Sequence, residues 1–457
     1  MGPRPDERPP RARPSAAGEP RSPPGGAGVS LTVVGGGLTI AEKILASHAG
    51  RSAVRPGELV TVQVDTVIVL DLDWAAGMGG YEILRLQDPG KVIVVHDHLV
   101  PARDVAAGEA LQQSRSFAER FGIDRVHDAG ADQGIVHQLV ADRAYGLPGE
   151  ILICADSHTC AAGAFNCAGR GLGGPEVTYA LCKGESWFKV GETVRYELEG
   201  RLAPGVTTKD TFLQLAREHG PHAGLNVEYG GPATASLSLD ARRTLTTMSA
   251  ELSAEFAIWE PDEVLLDHVR PRAARPFTQV APDRDAEYRD VRRVRLDGVE
   301  PYLGLPDALV NNTVPFSSFR ETVRVDQCFV GSCANGTLDD LAMAAAVVRG
   351  RRVAPGVRFI VTPASQEIYR AALRAGYVED LTDAGALVTP SACGACGGLS
   401  MGVLGPGETC ITSSTRNFKG RMGSPEARIY MASSAAVAAS ALTGTITDPR
   451  TVGAELA

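Results

Sequence analysis

The run PSACGACGG, residues 390–398, sets Cys393 and Cys396 two positions from adjacency among Gly, Ala and Ser. Alone, such a pair fits redox chemistry, half of a zinc site, an iron–sulfur ligand pair or no chemistry at all. The redox reading wants a helix that starts at the first cysteine, and Gly394, Gly397 and Gly398 make a poor first turn. A structural zinc site wants a second close pair of ligands, which the other cysteines do not supply. Upstream, VGSCANG (330–336) places Cys333 after an apolar run in similar company. Three thiolates on two strand-following loops would hold an iron–sulfur cubane and leave one iron open. That iron could act as a Lewis acid on a hydroxyl or carboxylate, as a dehydration requires. Cys154, Cys160, Cys167, Cys182, Cys328 and Cys410 read more simply as buried small side chains.

Acid/base groups cluster in three further places. VVHDHLV (94–100) puts Asp97 beside His98, a pairing that can orient and charge an imidazole for proton delivery. GIVHQL (134–139) offers His137 on an apolar stretch, where a hydrogen-bonded core histidine is the plainer reading. CADSHTC (154–160) carries Asp156, Ser157 and His158 at the end of an apolar run. A Ser–His–Asp hydrolase is the alternative there, although sequence neighbours do not make a triad and no G-x-S-x-G elbow is present. Further on, SSTRNFKGRMGSP (413–425) brings Arg416, Lys419 and Arg421 together. Guanidinium forks suit carboxylates, and a solvated basic turn is the competing reading.

The elements that must position these residues alternate between strand and helix. KVIVV (91–95), EILIC (150–154) and VRFIV (357–361) are short apolar runs of the kind buried on both faces of a parallel sheet. LVTVQVDTVIVL (59–70) reads as one strand, alternating and then continuously apolar. LTIAEKILASHAG (38–50), LDDLAMAAAVVRG (338–350) and ASQEIYRAALRAG (364–376) read as helices. The alternation predicts α/β architecture. Residues 1–30, rich in Pro, Arg and Gly, predict a flexible tail. The charged stretch 262–300 suits an exposed connection within a middle domain. The chain divides into domains at 31–190, 191–308 and 309–457.

With 457 residues and 44% apolar content the chain can bury several cores. A net charge of −9 argues against a general nucleic-acid or membrane-surface binder and favours a small-molecule partner. No apolar run approaches the roughly 20 residues of a membrane span, and the N-terminus lacks the apolar core of a signal peptide, so a cytoplasmic protein with reduced thiols is expected.

Taken together, VHDHLV, GIVHQL, ADSHT, GSCANG, the CGAC loop and TRNFKGRMGSP follow the order seen in the aconitase superfamily. From about residue 31 onward the chain resembles that superfamily, in particular its branch of 3-isopropylmalate dehydratase and homoaconitase large subunits. The resemblance implies three α/β domains around a [4Fe-4S] cluster with one open iron, held by Cys333, Cys393 and Cys396. It implies an isomerisation in which a hydroxy-carboxylate, such as a substituted malate, loses water and regains it with the hydroxyl moved one carbon. His98 with Asp97 would protonate the departing hydroxyl. Asp156 and His158 would handle iron-bound water, and Ser157 would touch substrate. His137 and Glu251 would support this network, while Arg416 and Arg421 would hold substrate carboxylates.

The superfamily's swivelling fourth domain has no room in the chain, so a separate small subunit is expected to complete the site in a heterodimer or heterotetramer. Several positions depart from the family pattern: Thr247 and Thr415 stand where Asn is usual, Ala334 where Thr is usual, and residues 70–84 differ. Such departures could mark an altered substrate or impaired catalysis. An RNA-binding apo form is the rival of another class, disfavoured by the acidic charge.

Overall fold

The computed structural model describes residues 36–76 and 82–453. The predicted tail, 1–30, lies outside the described residues, as do positions 77–81 of the divergent stretch 70–84. Among the described residues no helix is long and apolar enough to cross a membrane.

The described residues form eighteen strands. The segment 59–70 is two strands, β1 (Leu59–Gln63) and β2 (Thr66–Leu70), and not the single one expected. β1 alternates exposed and buried and pairs antiparallel with β7 (Glu185–Lys189) in a two-stranded ribbon. β2 is buried throughout and joins a parallel sheet. The break sits at Asp65, whose carboxylate accepts from the Ile151 N–H at 2.8 Å and meets His48 at 2.7 Å. A change of hydrophobic period from two to continuous marks the change from half-buried to fully buried strand.

The parallel sheet runs β4-β3-β2-β5-β6, with β3 Val92–Val95, β4 Val126–His127, β5 Ile151–Cys154 and β6 Ala168–Gly171. A second parallel sheet runs β10-β9-β8-β11, from β8 (Glu192–Glu199), β9 (Leu225–Gly230), β10 (Ala257–Trp259) and β11 (Asp290–Arg295). Its core stacks Tyr229 between Tyr196 and Trp259, with ring centroids 5.6 and 5.1 Å apart. The stretch 262–300, expected as a connection, supplies helix Glu263–Val269 and the edge strand β11.

The third sheet is mixed, in the order β13-β12-β18-β17-β14-β15-β16. Here β12 is Tyr302–Gly304, β13 Thr313–Pro315, β14 Gln327–Val330, β15 Arg358–Val361, β16 Leu387–Val388, β17 Thr409–Thr412 and β18 Arg428–Met431. The predicted helices appear at Ile40–His48, Leu338–Val348 and Gln366–Arg374. The first two start on capping boxes, Thr39 with Glu42 and Thr337 with Asp340, which satisfy backbone donors that would otherwise be orphaned.

Candidate active site at the carboxyl ends of the strands

The chemistry-bearing loops all leave the carboxyl ends of parallel strands, where α/β folds place their sites. Asp71 follows β2, Asp97 and His98 follow β3, and Asp156 to His158 follow β5. From the third sheet, Cys333 follows β14, Cys393 and Cys396 follow β16, and Arg416 and Arg421 follow β17.

His98 Nδ1 lies 2.6 Å from Asp97 Oδ1, and the other oxygen of Asp97 accepts from the Val136 N–H at 2.8 Å. The carboxylate is thus held by both a ring and a helix start. His98 Nε2 faces Asp156 Oδ2 at 3.8 Å. Burial alone would push the His98 imidazole down, but Asp97, Asp156 and Asp71 reverse that and raise it to about 10. It is therefore a proton carrier at neutral pH.

Asp156 is the hub of the histidines. Its Oδ1 is 2.8 Å from His137 Nε2 and accepts from the His158 N–H at 2.7 Å. Burial favours the neutral acid, yet the two histidines hold Asp156 well below the usual carboxylate range. His158 Nε2 reaches Glu251 Oε1 at 2.9 Å, and Arg416 Nε donates to the same oxygen at 2.8 Å. His137 is thus part of the network and not an isolated core histidine.

This geometry disposes of the hydrolase alternative. Ser157 is exposed, and both ring nitrogens of His158 face carboxylates, Nδ1 being 3.5 Å from Asp156 and Nε2 at Glu251. Neither is placed to take a proton from Ser157. A serine, histidine and aspartate do line up elsewhere, with Ser114 Oγ 2.7 Å from His96 Nε2 and His96 Nδ1 3.1 Å from Asp128. Ser114 and His96 are fully buried, so no substrate reaches them.

The three cysteines are free and 7%, 9% and 3% exposed, in the order Cys333, Cys393, Cys396. The hydrogen bond between Cys393 and Cys396 pushes the Cys393 thiol up and holds Cys396 well below the usual thiol range, and the Arg421 guanidinium also favours the Cys396 thiolate. Arg421 Nη2 is 3.8 Å from Cys396 Sγ, and Thr415 Oγ1 is 4.0 Å from it. Burial lowers the His158 imidazole, but the nearby Cys333 thiol, with Asp156 and Glu251, raises it well above its ordinary value, so Cys333 lies within electrostatic reach of the acid/base network. The turn Gly394–Gly397 that carries Cys396 closes on Gly398, at φ +64°. A Cβ on Gly398 would stand 2.8 Å from the Arg421 carbonyl, so this glycine lets the two loops touch.

The donor set suits an iron–sulfur cluster. Cys333, Cys393 and Cys396 are buried soft thiols, the Arg421 guanidinium stands beside Cys396, and buried polar atoms without a partner lie on the same loops: Ser391 Oγ, Ser414 Oγ and Arg421 Nε, with Thr247 Oγ1 on a buried helix. Sulfide acceptors would satisfy such groups.

Two residues that hold this site escaped the sequence reading. Asp71 accepts from the His98 and Leu99 N–H groups at 3.1 and 2.7 Å and stands within metal-ligand reach of Asp97 and His98. Its place after a buried strand was the available signal. Gln133 donates to the Ser391 carbonyl at 2.6 Å and braces the CGAC loop. In the basic loop, Lys419 is exposed, with Asp307 at 3.8 Å, so the solvated reading holds for that side chain. Volume does not locate the site: a cleft of about 490 Å³ beside Trp74, Glu109 and Phe117 contains none of these residues.

The sequence that builds this site is matched by a known family. The sequence pattern of the aconitase family (aconitate hydratase) covers residues 42–319 and 310–444, and the chain belongs to that family. Among its relatives is the 3-isopropylmalate dehydratase large subunit of Mycolicibacterium smegmatis, 50% identical over 92% of this chain and 98% of that one. The 3-isopropylmalate dehydratase large subunit 1 of Pyrococcus furiosus is 39% identical over 91% and 99% of the two chains. The large subunit from Sulfurihydrogenibium is 40% identical over 90% and 96%.

Proposed function

We propose that this chain is the catalytic large subunit of a hydro-lyase that dehydrates 3-isopropylmalate and rehydrates the alkene with the hydroxyl on the adjacent carbon. Supporting it most directly is Glu251 Oε1, which meets His158 Nε2 at 2.9 Å and Arg416 Nε at 2.8 Å and so joins the acid/base network to the arginine loop. The relatives named above add weight to the choice of substrate. Homocitrate- or methylmalate-type acids are the substrates to test against it.

In this reading His98, charged and held by Asp97, delivers a proton to the departing hydroxyl from Nε2. Asp156 with His137 and His158 stabilises the water that leaves and returns, and Glu251 fixes both His158 and Arg416. Ser157, exposed at the head of its 3-10 helix, contacts substrate. Arg416 and Arg421 pair with its carboxylates through planar N–H forks. Cys333, Cys393 and Cys396 hold a [4Fe-4S] cluster with one open iron. When bound, the cluster supplies a Lewis acid that polarises the leaving hydroxyl.

In this reading the chain divides into domains at 31–190, 191–308 and 309–457. The base that removes the carbon-bound proton comes from a separate small subunit, and the two chains work in the cytoplasm. Anaerobic reconstitution with iron and sulfide should give visible iron–sulfur absorbance, and adding the small subunit of the Mycolicibacterium relative should give turnover of 3-isopropylmalate. Absence of that absorbance, or full turnover by a Cys393→Ser variant, would sink the reading.

A further inference from the structure

Lys209 has no part in the roles above, yet it sits beneath them. It is the second residue of helix Thr208–His219, whose start is locked by a capping box between Thr207 and Asp210. Its side chain is fully buried. The ammonium donates to the Ser414 carbonyl at 2.7 Å, the Ser413 carbonyl at 3.0 Å and Asn335 Oδ1 at 3.2 Å. Three N–H bonds meet three acceptors, and Met248 Sδ stands 3.5 Å away.

Those acceptors belong to the two loops that matter. Asn335 is two residues beyond Cys333, and Ser413 and Ser414 immediately precede Thr415 and Arg416. The same loops are cross-tied, since Ser413 Oγ donates to the Asn335 carbonyl at 3.3 Å and accepts from the Gly331 N–H at 3.2 Å. Ser332, between Gly331 and Cys333, has φ +91°, a conformation that a non-glycine residue keeps only when its surroundings impose it. The counter-charge is Asp340, buried, with Oδ1 accepting from Asn335 Nδ2 at 3.2 Å and from Ser434 Oγ at 2.7 Å. A buried ammonium is costly, and a core built only for stability is served as well by an apolar side chain. Burial outweighs the opposing pull of Asp340, Cys333 and Cys396 and leaves Lys209 lowered to about 8.

We propose that Lys209 is a positioning residue of the cluster site. Its ammonium clamps the Cys333 turn to the Arg416 loop and sets a fixed positive charge behind the thiolates. It thereby governs both how tightly a cluster is held and how Arg416 meets the substrate. This rests on the reading of Cys333, Cys393 and Cys396 as cluster ligands, and wild-type absorbance after reconstitution tests that reading separately.

The experiment compares reconstituted wild type with Lys209→Met, Lys209→Gln and Lys209→Arg, each with the small subunit. Iron release to a chelator, reduction potential by redox titration, and the split between KM and kcat are measured. Loss of a second-layer partner commonly weakens metal retention about 10- to 100-fold, so Lys209→Met and Lys209→Gln should release iron faster by that factor. With the positive charge gone, both should also shift to a more negative potential, and KM should rise more than kcat falls. Lys209→Arg should keep the potential but raise KM, because a planar fork cannot meet three converging acceptors. Neutral variants with wild-type iron release and potential, and only a lower melting temperature, would overturn the proposal. So would failure of both neutral variants to fold in metal-free and loaded forms, which would make Lys209 a determinant of the fold alone.

Discussion

The backbone N–H of Cys393 donates to the carbonyl oxygen of Asp97 at 2.7 Å. One hydrogen bond therefore joins the CGAC loop of the third sheet to the loop that orients His98 in the first. A proposed ligand and a proposed acid share a backbone contact, so displacing either loop displaces the other. Arg103 repeats the link from the side, donating to the Leu399 carbonyl at 2.7 Å.

Replacing Cys393 with Ser should keep that backbone bond and remove one thiolate. We expect near-complete loss of visible iron–sulfur absorbance after reconstitution, with the far-ultraviolet circular dichroism of the metal-free chain unchanged.

Asp97→Asn should lower kcat by about 10²- to 10⁴-fold, the usual weight of a positioned proton donor. It should also change stability against pH. A proton held more tightly by folded than by unfolded His98 contributes stability that is full below about pH 6.5 and lost as pH rises through about 10. Wild type should therefore weaken across that alkaline window by on the order of a few kcal/mol, and Asp97→Asn should show a shallower slope. Urea midpoints across the pH range check this.

Arg416→Lys should raise KM for the carboxylate substrate about 10-fold or more, because an ammonium cannot hold Glu251 and a carboxylate in one plane. Steady-state kinetics of the two-subunit enzyme would show it, and a variant with unchanged KM would remove Arg416 from substrate binding.

Gly398→Ala adds a methyl 2.8 Å from the Arg421 carbonyl at a left-handed backbone position. A cost of about 1–3 kcal/mol is expected, with loosened cluster retention as Arg421 shifts. Thermal unfolding and iron release measured together would separate the two effects.

Thr247→Val removes a buried hydroxyl that has no partner among the described residues. The metal-free chain should gain about 1 kcal/mol or stay level, since an unpaired buried hydroxyl is costly. If the loaded protein loses stability instead, the hydroxyl serves the cluster.

Much of the scaffold was legible because buried parallel strands read as continuous apolar runs. Val92–Val95, Ile151–Cys154 and Arg358–Val361 fell within one residue of expectation for that reason. The edge strand Asp290–Arg295 did not, because four of its six residues are charged and only Val294 is buried, so its backbone pairing to Glu192–Glu199 is what makes it a strand. The break at Asp65 was hidden likewise, since its cause is the Ile151 amide of another strand.

The sequence by itself determined the donor types, their placement just beyond apolar strands and the glycines that let loops approach. Those are local properties of residue chemistry and period. Only the tertiary structure decided which donors meet: that His158 faces Glu251 and not Ser157, that Asp71 backs His98, and that Lys209 spends its three protons on loops carrying Cys333 and Arg416. Hydrogen bonds between distant positions, and the burial that gives them weight, leave no trace in spacing along the chain.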